Sequence, residues 1–163
     1  MATLVIHIEW EGPFSFNDLN KFNDAKIDFG VYQIYGNHPI YGSDILLYIG
    51  KAQEETFFMR LYPDREYWQK HCGIYLGRLA GDKTPHNEEW SRQIDLAEKL
   101  LIYSHSPAYN SSNIASIPDN ALRDVHIFNW FEHRDLLPEV SGGRWTTKFN
   151  EIPGYDIYGK HGK

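Results

Sequence analysis

Only one cysteine, Cys72, occurs in 163 residues, which excludes a disulfide framework and a four-cysteine zinc site. No apolar run approaches the roughly 20 residues of a membrane-spanning helix. Basic residues are short: 16 Lys and Arg stand against 22 Asp and Glu, a formal net charge of −6. The chain therefore lacks the cation surplus with which a nucleic-acid binder normally meets phosphate. Repeats, linkers and low-complexity tracts are also missing. The stretch from Met1 to Ile8 lacks the basic flank and small-residue cleavage site of a signal peptide, which with the lone cysteine points to the cytoplasm and to no membrane.

What is present describes a single folded domain over 1–163. Hydrophobic residues at 42% and aromatics at 15% supply a core and argue against disorder. Residues 3 to 9 read as a strand, and Ser15 to Leu19 as a capped helix start. Val31–Tyr35 and Ile45–Ile49 are rich in β-branched and aromatic residues, with turn chemistry at Gly36-Asn37-His38-Pro39 and Gly42-Ser43-Asp44, so an antiparallel hairpin is expected. Gln53 to Leu61 suits a short helix stopped by Pro63. Gly73 to Ala80 reads as a third strand, Asn87 caps the longest helix, which runs to His105 before Pro107, and Arg123 to Trp130 is a further strand. Trp130-Phe131 reads as core, and the last twenty residues, with Gly142-Gly143, as loosely structured.

Within the hairpin, the period of two puts Tyr32 on a face with Ile34, and Tyr48 on a face with Leu46 and Gly50. One register brings both hydroxyls together, with Gly50 leaving room for a ligand. In the long helix Trp90, Ile94, Leu101 and Ile102 fall at helical spacing around Glu98, so the apolar stripe contains a carboxylate. An ionised carboxylate there costs several kcal/mol, on the order of what a cation or metal must offset. The plain reading is an ion pair with Arg60 or Arg78. Asparagines in the Pro107 to Asn113 loop are, taken alone, turn formers. Among the remaining groups, Cys72 has no second cysteine pair, His105, His126 and His133 have no metal-ligand spacing, and Gly142-Gly143 has no following lysine for a phosphate loop.

Gly30-Val31-Tyr32, Tyr48-Ile49-Gly50-Lys51, Arg60 on the next helix, Glu98 on a later one, and Pro107-Ala108-Tyr109-Asn110 occur in an order that resembles the GIY-YIG nuclease superfamily, over about residues 30–113. The resemblance implies an α+β fold with a small central, mostly antiparallel sheet flanked by helices, a strand and helix extension over 1–29, and a strand and tail over 114–163. It implies metal-dependent hydrolysis of DNA phosphodiester bonds. Glu98 would hold Mg²⁺ or Mn²⁺, Tyr32 would deprotonate or orient the attacking water, and Tyr48 would bond the water or the phosphate. Arg60 would bind the scissile phosphate, with Arg65 as competitor, and Asn110, with Asn113 as competitor, would brace the site. Gly30, Gly50 and Lys51 support it, and Lys51, Arg60 and Arg65 would contact DNA. An unperturbed tyrosine, with a pKa near 10, needs a cation such as Lys51 close by to act as base. Many members carry a histidine one turn after the arginine; here that position is Asp64, and Pro63 would break the helix before it, leaving Tyr62 or His71 to fill the role. The missing histidine and the acidic total favour a rival expectation, a binding module that keeps the fold and does not cleave. Little chain lies outside 30–113 for target recognition, which favours a partner protein that supplies it.

Overall fold

The computed structural model describes residues 3–68, 72–81, 87–114 and 120–143. They form an α+β fold: strands β1 (Leu4–Phe14), β2 (Gly30–His38), β3 (Gly42–Ala52), β4 (Gly73–Leu79), β5 (Val125–Phe131) and β6 (Glu139–Ser141), and helices α1 (Phe57–Leu61) and α2 (Glu88–His105). The six strands make one mixed sheet in the order β3-β2-β4-β1-β5-β6. Only β1 and β5 pair in parallel; the other neighbours are antiparallel.

Each element follows from local chemistry. In β1 the period of two buries Ile6, Ile8 and Trp10. The indole of Trp10 donates to Asn129 Oδ1 at 2.9 Å, tying β1 to β5 inside the core. Helix α2 starts at Asn87, whose side-chain oxygen accepts from the backbone of Glu89 and Trp90 at 3.0 and 3.2 Å. It ends at Ser106, in the left-handed conformation, just before Pro107. Its stripe of Trp90, Ile94, Ala97, Leu101 and Ile102 packs on the sheet face formed by Ile8, Val31, Tyr35, Ile49 and Ile127. Burying one such aliphatic side chain contributes about 1.5–3 kcal/mol, so this face dominates the stability of the fold. On the opposite face Tyr32, Ile34, Leu47, Ile74 and Leu76 pack under α1 and a 3-10 turn at Phe16–Lys21. In that turn the Asp18 carboxylate accepts from the amide and hydroxyl of Ser15, both at 2.9 Å.

Several expectations change. The strands of the hairpin run through the residues read as turns, leaving only Pro39, Ile40 and Tyr41 at the tip. A register shift after Ile34 makes Leu46, not Leu47, the partner of Tyr35, so Leu46 packs with the α2 side and Leu47 with the side of Tyr48. α1 ends at Leu61, ahead of Pro63, as expected, but starts at Phe57 rather than Gln53, and the chain after it tightens into a 3-10 turn at Tyr62–Asp64 whose first turn accepts the proline. Trp130 and Phe131 are 46% and 73% exposed rather than core. Their strand alternates correctly, but its outer face is left open, and Trp130 instead donates to His7 at 2.9 Å. Gly142 is packed, not loose: a Cβ there would lie 1.6 Å from the Leu122 carbonyl oxygen. The tail over 144–163 lies outside the described residues.

Candidate functional site

β3 is an edge strand, and the site forms around that edge. Tyr32 on β2 stands opposite Gly50 on β3. A Cβ at position 50 would sit 2.4 Å from the Tyr32 hydroxyl oxygen and 2.8 Å from the Tyr48 ring. Glycine here does not hold space for a ligand, as the sequence suggested; the Tyr32 phenol occupies that space and lies across β3. Tyr48 is its neighbour, ring centroids 6.2 Å apart and planes 33° apart. Gly30 is likewise set by backbone rather than ligand, since a Cβ would meet the Gly77 carbonyl oxygen at 2.0 Å and its φ is +151°.

Arg60 comes from α1. Thr56 caps this helix by accepting from Met59 at 3.3 Å, and fully buried Phe57 and Leu61 fix its orientation. The guanidinium is left half exposed and donates to Asp64 Oδ2 at 3.2 Å. Arg65 points elsewhere: its guanidinium lies 4.2 Å from the Tyr62 ring centroid and donates to the Tyr62 carbonyl at 3.0 Å.

Glu98 sits within the buried stripe of α2, its side chain 14% exposed. Its ion-pair partner is Lys51 at 3.4 Å, not Arg60 or Arg78. Arg78 is engaged by Glu11 and Asp28, each at 2.6 Å. Lys51 also binds Asp95, which Lys99 holds from the other side at 2.7 Å. Lys51 is thus directed at the helix carboxylates rather than at the tyrosines.

Asn110 braces the site from outside. Its side chain bonds Ile49 twice, accepting from the amide at 3.0 Å and donating to the carbonyl at 2.9 Å, as a neighbouring strand would. Tyr109 donates to the Leu47 carbonyl at 2.8 Å, so the loop after α2 closes the free edge of β3. Asn113 takes a positive φ of 64° in the same loop. His71 lies outside the described residues.

The electrostatics link these elements. Burial pushes the Tyr32 phenol well above the usual tyrosine range; Arg60 opposes the shift, while Tyr48, Glu98 and Asp64 add to it. Tyr48 is raised for the same reasons, burial first and then Glu98. Tyr32 in turn is the largest influence holding the charge on Arg60. Burial raises the Glu98 carboxyl, with Lys51 only partly offsetting it. Asp95 loses to burial but gains more from Lys51 and Lys99, and stays below the carboxylate range. One buried and one half-buried hydroxyl, one guanidinium and one under-compensated carboxylate therefore act on one another from four elements.

No family model, curated protein or solved structure matches this chain. The site must be read from its own geometry. A phenol so raised stays protonated at neutral pH, so Tyr32 is a hydrogen-bond donor and a poor base. Among the described residues no group of three or more His, Cys, Asp or Glu side chains could hold a metal ion between them. Burial leaves the Glu98 charge only partly compensated by Lys51. Two residues at the site were missed by sequence reasoning. Asp64 was dismissed behind Pro63, although its i+4 spacing from Arg60 signals the pair. Asp95, one turn before Glu98, shares Lys51.

Proposed function

We propose that this chain is a divalent-metal-dependent endonuclease of GIY-YIG type that hydrolyses DNA phosphodiester bonds. The observation that carries the reading is that Tyr32, Tyr48, Arg60 and Glu98, from β2, β3, α1 and α2, lie close enough to influence one another's charge, with the Tyr32 and Tyr48 rings 6.2 Å apart. Perturbed groups of this kind cluster where chemistry is done. Glu98 would hold Mg²⁺ or Mn²⁺ through a hard carboxylate oxygen, as one protein ligand in a largely water-filled shell. When bound, the ion neutralises charge building on the phosphoryl oxygens.

The chain's own residues do the rest. Arg60 grips the scissile phosphate with its planar fork and stabilises the charge that develops there. Phosphate binding would draw Arg60 away from Asp64, and the freed carboxylate would accept the proton of the attacking water as its oxygen bonds phosphorus and the P–O bond to the leaving oxygen breaks, that oxygen taking a proton from solvent. Tyr32, protonated, orients that water by a hydrogen bond, and Tyr48 bonds the phosphate. Lys51, 3.4 Å away, offsets part of the cost of burying the Glu98 charge.

Supercoiled, nicked, single-stranded and branched DNA incubated with and without Mg²⁺ or Mn²⁺ test the proposal, with Arg60→Lys as the informative variant. Lysine keeps the charge but loses the fork. Cleavage is expected to fall by about a hundredfold or more with affinity only modestly reduced, since the interaction is made in the transition state. A lysine variant of undiminished activity would remove Arg60 from the chemistry.

A further inference from the structure

A row of aromatic rings leaves the candidate site and follows the hairpin outward. Tyr48 lies 5.7 Å from Trp68, Trp68 lies 6.4 Å from Tyr109, Tyr109 lies 5.2 Å from His38, and His38 stacks on Tyr41 at 4.6 Å. Tyr67 packs edge-on against Trp68 at 5.2 Å. Folding leaves much of this row in solvent: Tyr109, Tyr41 and Tyr67 are 41%, 67% and 77% exposed. Its far end is nevertheless ordered by design, because His38 Nδ1 accepts from the amides of Ile40 and Tyr41, both at 3.1 Å. Beside Tyr41 a cavity of about 400 Å³ opens, floored by Leu46, Pro107, Ala108 and Ile114.

Charge decides what such a row could hold. A duplex reader spreads Lys and Arg along its footprint to replace counterions. Among the described residues Lys51 is paired with Asp95 and Glu98, and Arg134, near the hairpin, with Asp44 at 2.7 Å, so neither is free to follow the row. Aromatic faces, by contrast, take unpaired bases whatever their sequence, and each stacked base adds affinity beyond that of the backbone contacts. Pre-set rings lose little freedom on binding. Continuity with Tyr48 and Arg60 puts the backbone of a strand lying on the row at the site itself.

We propose that the row from Tyr48 through Trp68, Tyr109 and His38 to Tyr41 is a stacking platform for unpaired bases, so that the substrate is DNA with a single-stranded segment, such as a flap, rather than plain duplex. The proposal rests on the nuclease reading for what happens at Arg60, but not for the binding. Anisotropy of labelled oligothymidine, and of an abasic strand of equal length and charge, is therefore measured in EDTA, where nothing can be cut. Wild type is expected to bind the base-bearing strand about tenfold tighter or more, with a shallow salt slope. Tyr109→Ala and Tyr41→Ala are each expected to lose about fivefold or more, while Val5→Ala, on the open outer face of β1, changes nothing. Tyr41 is exposed at the hairpin tip, so its variant reports binding even if the others fold poorly. Equal affinity for the two strands, tighter binding of duplex, or self-association abolished by Tyr109→Ala with no DNA bound would overturn the proposal. Stacking with no cleavage under any divalent ion would leave the platform standing and remove the nuclease reading. Cleavage of duplex unaffected by Tyr41→Ala and Tyr109→Ala would do the reverse.

Discussion

Gly50 and Tyr32 act as one unit. The phenol lies where any side chain at position 50 would have to go, 2.4 Å from an ideal Cβ, and both residues are buried and paired across β2 and β3. Gly50→Ala should therefore destabilise the protein by about 1–3 kcal/mol, as overpacking does, and the penalty should shrink in the Tyr32→Ala background. Denaturant midpoints for the two single variants and the double variant measure this; additive losses would show that Tyr32 does not lie over Gly50. At Glu98 the sign of the pH dependence follows from burial. Burial raises its carboxyl above the usual value of 4.5, so the contribution of this group to stability is present below that value and is lost as pH rises from it through the higher folded-state value. A cation needs the ionised form. Mn²⁺ affinity should thus fade as pH drops through a point above 4.5, and Lys51→Met should move that point higher still. A midpoint at or below 4.5 in wild type would place the ion on another group.

At the level of elements, the edge of β3 is held by a loop acting as a strand. Asn110 supplies both bonds to Ile49, and Ala carries neither. Asn110→Ala should cost about 1–3 kcal/mol, the penalty for leaving buried polar backbone unpaired, and speed hydrogen exchange at the Ile49 amide. Unchanged protection at that amide would mean that Tyr109 and Ala108 alone close the edge. The elements with strong local signals were legible in advance: α2 between the Asn87 cap and Pro107, and the hairpin from its β-branched runs. The resemblance put Asn110 at the site, but not its strand-like grip, which depends on β3 being an edge. β6 has only three residues, too few for any period. The exposure of Trp130 and Phe131 escaped because alternation tells which residues share a face and not whether that face is covered. The Lys51 pair with Glu98 escaped because it joins a strand to a helix far along the chain, and charge alone offered Arg60 and Arg78 equally.

For the whole molecule, the sheet divides the labour. One face carries α2 and most of the core, the other carries α1 with Arg60, and the two sets of side chains meet around the β3 edge, where Tyr32 and Tyr48 feel both Arg60 and Glu98. No helix among the described residues is long and apolar enough to cross a membrane. The most direct test of the central claim compares wild type with Glu98→Gln in two assays: Mn²⁺ binding by calorimetry, and cleavage of flapped DNA with Mg²⁺. Glutamine keeps the shape and removes the charge, so the variant should melt at the same temperature or higher, bind no ion at this site and cut nothing. A variant that unfolds, together with wild type that binds no divalent ion, would instead make Glu98 a structural partner of Lys51 and contradict the account.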